Sequence, residues 1–163
     1  PGPGYVGLEI AKKLPPDSLT GCEISPAMLQ FARKNAKNYG IDARYVQGNC
    51  MEMPFEDESF DSVISNGSLH EWETPVRVFN EIYRVLRPGG RYCITDLRRN
   101  VNLLARYLGL ATAKPRAIRP GFISSLNAAY TVGEITELLR NSDLKGAMVT
   151  TDFFGLCICG EKK

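Results

Sequence analysis

Residues 1–24 read PGPGYVGLEIAKKLPPDSLTGCEI. The stretch predicts a Gly/Pro loop over 1–4, a helix over 5–14, a Pro15-Pro16-Asp17 break and a short apolar strand over 19–24. Proline lacks a backbone N–H and clashes with the preceding turn, so the Pro15-Pro16 pair stops the helix. Gly2 and Gly4 allow close approach of a ligand, and the helix that follows presents free N–H groups at its N-terminus. Glu23 stands at the tip of the strand, roughly 20 residues beyond Gly4, where a carboxylate is placed to accept hydrogen bonds from ribose hydroxyls. A carboxylate suits a vicinal diol because it can accept from both O–H groups. A glycine loop alone is a common coincidence; loop and acid together at this spacing point to a ribose-bearing ligand.

The alternation continues outward. Ser25 is a good N-cap and Pro26 fits the first helical position. Met28, Leu29, Ala32 and Ala36 then give a helix one apolar face, and Gly40 stands where a left-handed cap ends it. Strands are predicted at ARYVQG (43–48), FDSVIS (60–65) and RYCITD (91–96). NCMEMPFEDES (49–59) reads as a loop. Val76, Phe79, Ile82, Tyr83 and Leu86 mark a helix, with Pro88-Gly89-Gly90 expected to stop it. Strands alternating with helices imply parallel βαβ units. Residues 97–130 break this rhythm, with helices expected near 100–110 and 122–129. Thr131-Val-Gly-Glu134 is a capping box opening a helix to about Asn141. GAMVTTDF (146–153) and FGLCICG (154–160) should close the chain as a hairpin. The expected fold is therefore an α/β, doubly wound, mostly parallel sheet with a C-terminal antiparallel hairpin. It forms one domain over 1–163.

Composition narrows the function classes. The chain has 163 residues, 44% hydrophobic and 23% charged, with a net charge of +2. So small a charge argues against nucleic acid held mainly through phosphates. No apolar run approaches the roughly 18 residues of a membrane span. The five cysteines include no C-x2-C pair, so no metal site is expected, and small buried thiols in a reducing cytoplasm are the plain reading. Cys157-x-Cys159 alternates within a strand, and one of the two is expected to face the core.

Two further loops sit at carboxyl ends of parallel strands, where open α/β sheets bind their ligands. Gly48-Asn49-Cys50-Met51 follows the 43–48 strand, and its amide could read an adenine edge. Ser65-Asn66-Gly67-Ser68-Leu69-His70-Glu71-Trp72 follows the 60–65 strand and carries the single histidine.

Taken in order, PGPGYVGLEIAKKL, GCEISPAMLQFARKNA, GNCMEMPFEDESFDSVIS, LHEW and EIYRVLRPGGRYCITDLR resemble the class I S-adenosylmethionine-dependent methyltransferases. The nearest group is the small-molecule type that includes the ubiquinone/menaquinone C-methyltransferases. The resemblance covers about residues 1–98 well and the remainder loosely. It implies Gly2 and Gly4 beneath the methionine part of S-adenosylmethionine, Glu23 on the ribose and Ile24 against adenine. It also implies Asn49, where the family more often has Asp, at the adenine amino group, with Cys50 and Met51 flanking the ring. Ser65 would lie toward the methionine end, His70 near the transferred methyl, and Trp72 in the wall. The family has a strand before its glycine loop, in the middle of the sheet. Because a central slot cannot leave two rows of backbone groups unpaired, residues before Pro1 are expected to be missing, with strands 19–24 and 60–65 flanking that slot.

The sulfonium methyl is already activated, so the expected reaction is direct in-line methyl transfer to a small-molecule acceptor, leaving S-adenosylhomocysteine. His70 is the candidate base, should the acceptor have a proton to lose. Asp96 is a weaker one, read equally as a helix cap or a partner of Arg98 or Arg99. Region 97–130 is expected to be a substrate lid. Its Arg98, Arg99, Arg106, Lys114, Arg116 and Arg119 hint at an anionic acceptor, against the plainer reading of a solvated face. A homodimer is left open. Two rival readings are a catalytically silent S-adenosylmethionine-binding subunit and a nicotinamide-dependent oxidoreductase. The LRPGG element and terminal hairpin argue against the second.

Overall fold

Local capping chemistry sets where the helices begin and end. The computed structural model describes residues 1–112, 115, 117 and 119–163. Its contacts divide the chain into two compact units, Pro1–Glu56 and Asp57–Lys163. The first unit contains α1 (Tyr5–Lys13), β1 (Thr20–Glu23), α2 (Pro26–Tyr39) and β2 (Arg44–Gln47). The Ser25 side chain accepts a bond from the Met28 N–H at 3.4 Å, and Gly40 closes α2 with a left-handed φ of 66°. β1 and β2 pair in parallel, from Thr20 opposite Arg44 to Glu23 opposite Gln47. Leu8, Leu29, Ala32, Ala36 and Tyr45 form the buried core of this unit. Each fully buried leucine contributes about 1.5–3 kcal/mol over an exposed one.

The second unit runs β3 (Phe60–Asn66), a 3-10 turn (Leu69–Glu71), α3 (Pro75–Val85), β4 (Leu86–Leu97), α4 (Leu103–Thr112), α5 (Arg119–Ala128), α6 (Val132–Arg140), β5 (Met148–Thr151) and β6 (Gly155–Glu161). Its four strands lie in the order β3-β4-β6-β5. β3 and β4 are parallel, whereas β6 is antiparallel to both β4 and β5. The α/β class, the parallel pairing and the C-terminal antiparallel hairpin are thus as the sequence pattern implied. β1 and β3, expected on either side of an intervening strand, lie in different sheets. Pro75, Val78, Phe79, Ile82 and Val85 form the buried stripe of α3, set three and four residues apart. The Thr131–Glu134 capping box forms with both reciprocal bonds.

Two sequence expectations are corrected. Pro88-Gly89-Gly90 does not separate a helix from a strand: α3 ends at Val85, and β4 already begins at Leu86. The Pro-Gly-Gly run is an outward excursion within β4, where Leu86 pairs with Phe60 but Arg91 pairs with Ser62. Proline is tolerated there because the ladder is interrupted at that point. Gly89 takes a φ of 77° and donates to the Lys162 carbonyl at 2.8 Å.

Cys157 and Cys159 do not divide between the two faces of the sheet. Residues two apart in a strand point the same way. Leu156 and Ile158 take the buried face, and both thiols lie on the other, with Cys157 Sγ 3.7 Å from Cys93 Sγ. The loop after β3 contains a 3-10 turn, Leu69–Glu71, on which the sequence reading made no prediction. Lys114 and Arg116 lie outside the described residues.

Candidate functional site

The glycine loop folds back on itself before α1. Gly2 and Gly4 take left-handed φ values of 50° and 82°. At Gly4 a Cβ would stand 2.9 Å from Tyr45 Oη and 3.3 Å from Ala32 Cβ, so the loop lies against α2 and β2 with no room for a side chain. Gly4 donates to the Pro1 carbonyl at 2.8 Å, and Asn35 Nδ2 donates to the Pro3 carbonyl at 2.9 Å.

Glu23 joins this loop to the tip of β1. Its Oε2 accepts the Gly2 N–H at 2.9 Å and its Oε1 accepts the Ser25 N–H at 2.9 Å. Burial pushes the Glu23 carboxyl up. The Ser25 and Gly2 N–H donors and the nearby terminal ammonium outweigh this and hold it below the usual carboxylate range. Oε1, which holds the Ser25 N–H alone, keeps lone-pair capacity for a further donor. Beyond it Ile24 is 63% exposed, an apolar side chain free to cover a flat ring.

Asn49 follows β2. Its Oδ1 accepts the Met51 N–H at 2.9 Å, which fixes the turn bearing Cys50 and Met51. Burial pushes the Cys22 and Cys50 thiols up, which disfavours their thiolate forms. The first unit therefore brings Gly2, Gly4, Glu23, Ile24, Asn49, Cys50 and Met51 to loops that follow or precede the same pair of strands.

In the second unit the parallel register of β3 and β4 assembles a different group. Ser65, on β3, has its Oγ 2.8 Å from Ser68 Oγ. Gly67 donates to the Thr95 carbonyl at 2.8 Å, so the loop after β3 leans onto the end of β4. There the His70 backbone N–H donates to Asp96 Oδ2 at 2.9 Å, and His70 Nδ1 lies 2.9 Å from Asp96 Oδ1. Asp96 Oδ1 also accepts the Leu97 N–H at 2.6 Å. The Asp96 side chain is 1% exposed and that of His70 9%. Asp96 pairs with neither Arg98 nor Arg99, as the sequence had allowed. Arg98 reaches the Asp152 carbonyl, and Arg99 reaches the Ala129 carbonyl and Glu134. Trp72 packs edge-on against Phe79, with ring centroids 5.9 Å apart, as part of the core.

His70 and Asp96 line a cleft of about 470 Å³, with Phe122 and Ser125 from α5 and Phe154 and Leu156 from the hairpin. That volume lies within the range of small-molecule sites, which runs from about 300 to 1,000 Å³. Sequence reasoning missed Phe122, Ser125 and Phe154, which carry no motif. It saw Asp96 as a weaker candidate base, with a helix cap or an Arg98 or Arg99 pair as the alternative, and did not pair it with His70. The usable signal was its place at the carboxyl end of a parallel strand. Among the described residues no three His, Cys, Asp or Glu side chains converge as metal ligands do. No helix among them is long and apolar enough to cross a membrane.

Residues 1–94 match a family model described as a methyltransferase domain. The chain belongs to the methyltransferase-domain family. Two curated relatives of this methyltransferase domain are named for quinone chemistry. The chain is 36% identical over 93 residues to 2-methyl-6-phytyl-1,4-hydroquinone methyltransferase 2 of Oryza sativa subsp. japonica, a match covering 57% of the chain and 26% of that protein. It is 30% identical over 95 residues to demethylmenaquinone methyltransferase of Thermus thermophilus, covering 58% of the chain and 43% of that protein. These matches span less than half of each relative. The fold is also that of a SAM dependent methyltransferase from Aquifex aeolicus, with a TM-score of 0.73, 14% identity, and 99% and 78% of the two chains covered. S-adenosylmethionine is the cofactor the family implies, and the resemblance to quinone C-methyltransferases is the one its motifs carry.

Proposed function

We propose that this chain transfers a methyl group from S-adenosylmethionine to a small-molecule acceptor by direct in-line displacement, with S-adenosylhomocysteine as product. The observation that carries the reading is Glu23, a carboxylate fixed at the tip of β1 by the Gly2 and Ser25 N–H groups. Its remaining lone pairs suit a ribose diol. A Cβ at Gly2 would meet nothing within 4 Å, so that side of the loop is open to a ligand, and Ile24 offers apolar cover for an adenine ring. Asn49, Cys50 and Met51 would border that ring, with Gly2 and Gly4 beneath the methionine part and Ser65 toward it. When bound, the cofactor supplies a methyl already activated on sulfonium, so alignment and exclusion of water fall to the protein.

The second unit would hold the acceptor, in the cleft bordered by His70, Phe122 and Phe154, with segment 97–130 as its lid. Relatives named for a hydroquinone and a demethylmenaquinone favour an aromatic ring bearing hydroxyl groups.

Calorimetry with S-adenosylhomocysteine tests the reading. Glu23→Ala should weaken binding by roughly 1.5–3 kcal/mol, the range for a hydrogen bond to a charged group. Unchanged affinity in a variant whose circular dichroism matches the parent would remove the assignment, as would binding of NAD in place of S-adenosylhomocysteine. Transfer of labelled methyl separates an enzyme from a silent binding subunit.

A further inference from the structure

In the second unit the single histidine, which borders the cleft, stands between two carboxylates. Asp96 has only acceptor atoms to offer, so His70 Nδ1, 2.9 Å from Oδ1, must carry a hydrogen. In the neutral ring that leaves Nε2 as a bare lone pair. The tautomer is thus set by Asp96, whose orientation is in turn set by the His70 and Leu97 backbone N–H groups at 2.9 and 2.6 Å. A carboxylate at 1% exposure needs compensating donors, and three reach this one. Glu71, next in the 3-10 turn, lies on the other side of the ring: its Oε1 is 3.9 Å from Nε2, and its side chain is 73% exposed. The imidazole therefore stands between a buried carboxylate that fixes it and an exposed carboxylate in contact with bulk water.

We infer that His70 Nε2 accepts the proton of an acceptor hydroxyl bound in this cleft, that Asp96 is the positioning residue holding the ring in the competent tautomer, and that Glu71 passes the proton on to solvent. The acceptor O–H bond breaks and an Nε2–H bond forms. The electron pair stays on the acceptor oxygen, nothing is oxidised or reduced, and neutral imidazole plus hydroxyl become imidazolium plus oxyanion. The Asp96 carboxylate stabilises the imidazolium. Other groups bordering the cleft are the Asp152 carboxylate, the Cys157 thiol, which burial pushes up, and the uncharged Asn66, Thr95 and Ser125. The inference rests on the methyltransferase reading for its acceptor, but its test does not need methyl transfer.

The probe is 4-nitrophenol, whose phenolate absorbs at longer wavelength than the phenol. It is titrated with the full chain in the absence of cofactor. Bound probe should show a phenolate fraction raised several-fold over free probe at the same pH. His70→Ala and Asp96→Asn should each abolish the rise, because Asn presents an N–H to Nδ1 and moves the bare lone pair away from Nε2. Glu71→Gln should leave the equilibrium rise in place. A parent chain that leaves the probe spectrum unchanged would overturn the proposal, and so would an equal rise in His70→Ala. If Asp96→Asn does not fold, His70→Gln decides, since it keeps the backbone bond to Asp96 and loses the base. Where the acceptor is turned over, His70→Ala should lower kcat about 10²–10⁴-fold. S-adenosylhomocysteine calorimetry on the same samples keeps the two readings apart. Probe ionisation without cofactor binding sinks the methyltransferase assignment alone, and the reverse sinks the proton path alone.

Discussion

Glu23 and Asp96 occupy matching places in the two units. Each lies at or near the carboxyl end of a strand in a parallel pair, and each accepts two backbone N–H bonds. They differ in what is left over. Glu23 keeps 16% of its side chain exposed, each of its oxygens accepts one backbone N–H, and the Pro1 nitrogen lies 3.4 Å from Oε2. Asp96 is 1% exposed, and a ring N–H joins the two backbone donors on it. A carboxylate with spare acceptor capacity at the surface can recognise a ligand. One saturated by protein donors can only shape its neighbours. Position at a strand end therefore nominates a carboxylate, and the exposure it keeps decides its use.

The largest effect expected from this contrast is on stability. Asp96→Ala strips three donors of their acceptor in a buried setting, and an orphaned buried polar group costs about 1–3 kcal/mol. Partial access of water from the cleft reduces the sum, so a loss of about 3 kcal/mol in urea unfolding is expected. Glu23→Ala leaves its two N–H groups where water can reach them, and about 1 kcal/mol or less is expected. Equal losses at the two sites would collapse the distinction.

A second effect is in the pH dependence. The Glu23 carboxyl is held below the usual range in the folded chain, so its contribution to stability is present at neutral pH and above the unfolded carboxylate range. It is lost as pH falls through the lowered folded value. Glu134 and Asp152 are lowered too, chiefly by the Thr131 and Gly155 N–H groups respectively, and they add to the same acid limb. Glu23→Gln should therefore flatten the acid side of the stability profile relative to the parent without removing it. An unchanged profile would mean that the two N–H bonds do not persist in solution.

Some of this was legible because the signals were local. Ser25, Pro26 and Gly40 bound α2 by their own backbone preferences, and Thr131 with Glu134 satisfies α6 within one turn. Glu23 was legible because loop and strand are adjacent in the chain. The LRPGG run was misread because a Pro-Gly-Gly element ends a helix as readily as it loops out of a strand. Only the partner strand, pairing Leu86 with Phe60, decides between them. The His70–Asp96 pair depends on the register of β3 against β4, a non-local quantity that no window of sequence contains. The shared, half-buried face of Cys157 and Cys159 follows from strand period alone, and the incorrect expectation there came from misapplying that period.

The smallest expected effect sharpens the comparison at a third strand end, after β2. Asn49 Oδ1 accepts the Met51 N–H at 2.9 Å, a turn that an aspartate oxygen can hold equally well. The resemblance places this residue at the adenine amino group, which donates, so the site needs an acceptor and not a charge. Asn49→Asp keeps the acceptor and makes it charge-assisted, which strengthens such bonds. Solvent at this half-buried position and the like charge of Glu23 in the same unit offset the gain. S-adenosylhomocysteine affinity should therefore lie between unchanged and about fivefold tighter, a span of roughly 1 kcal/mol. Weakening by tenfold or more would show that the Asn49 amide had been donating through Nδ2. The ring edge it faces would then be an acceptor, and the placement of adenine against Ile24, Cys50 and Met51 would have to be turned over.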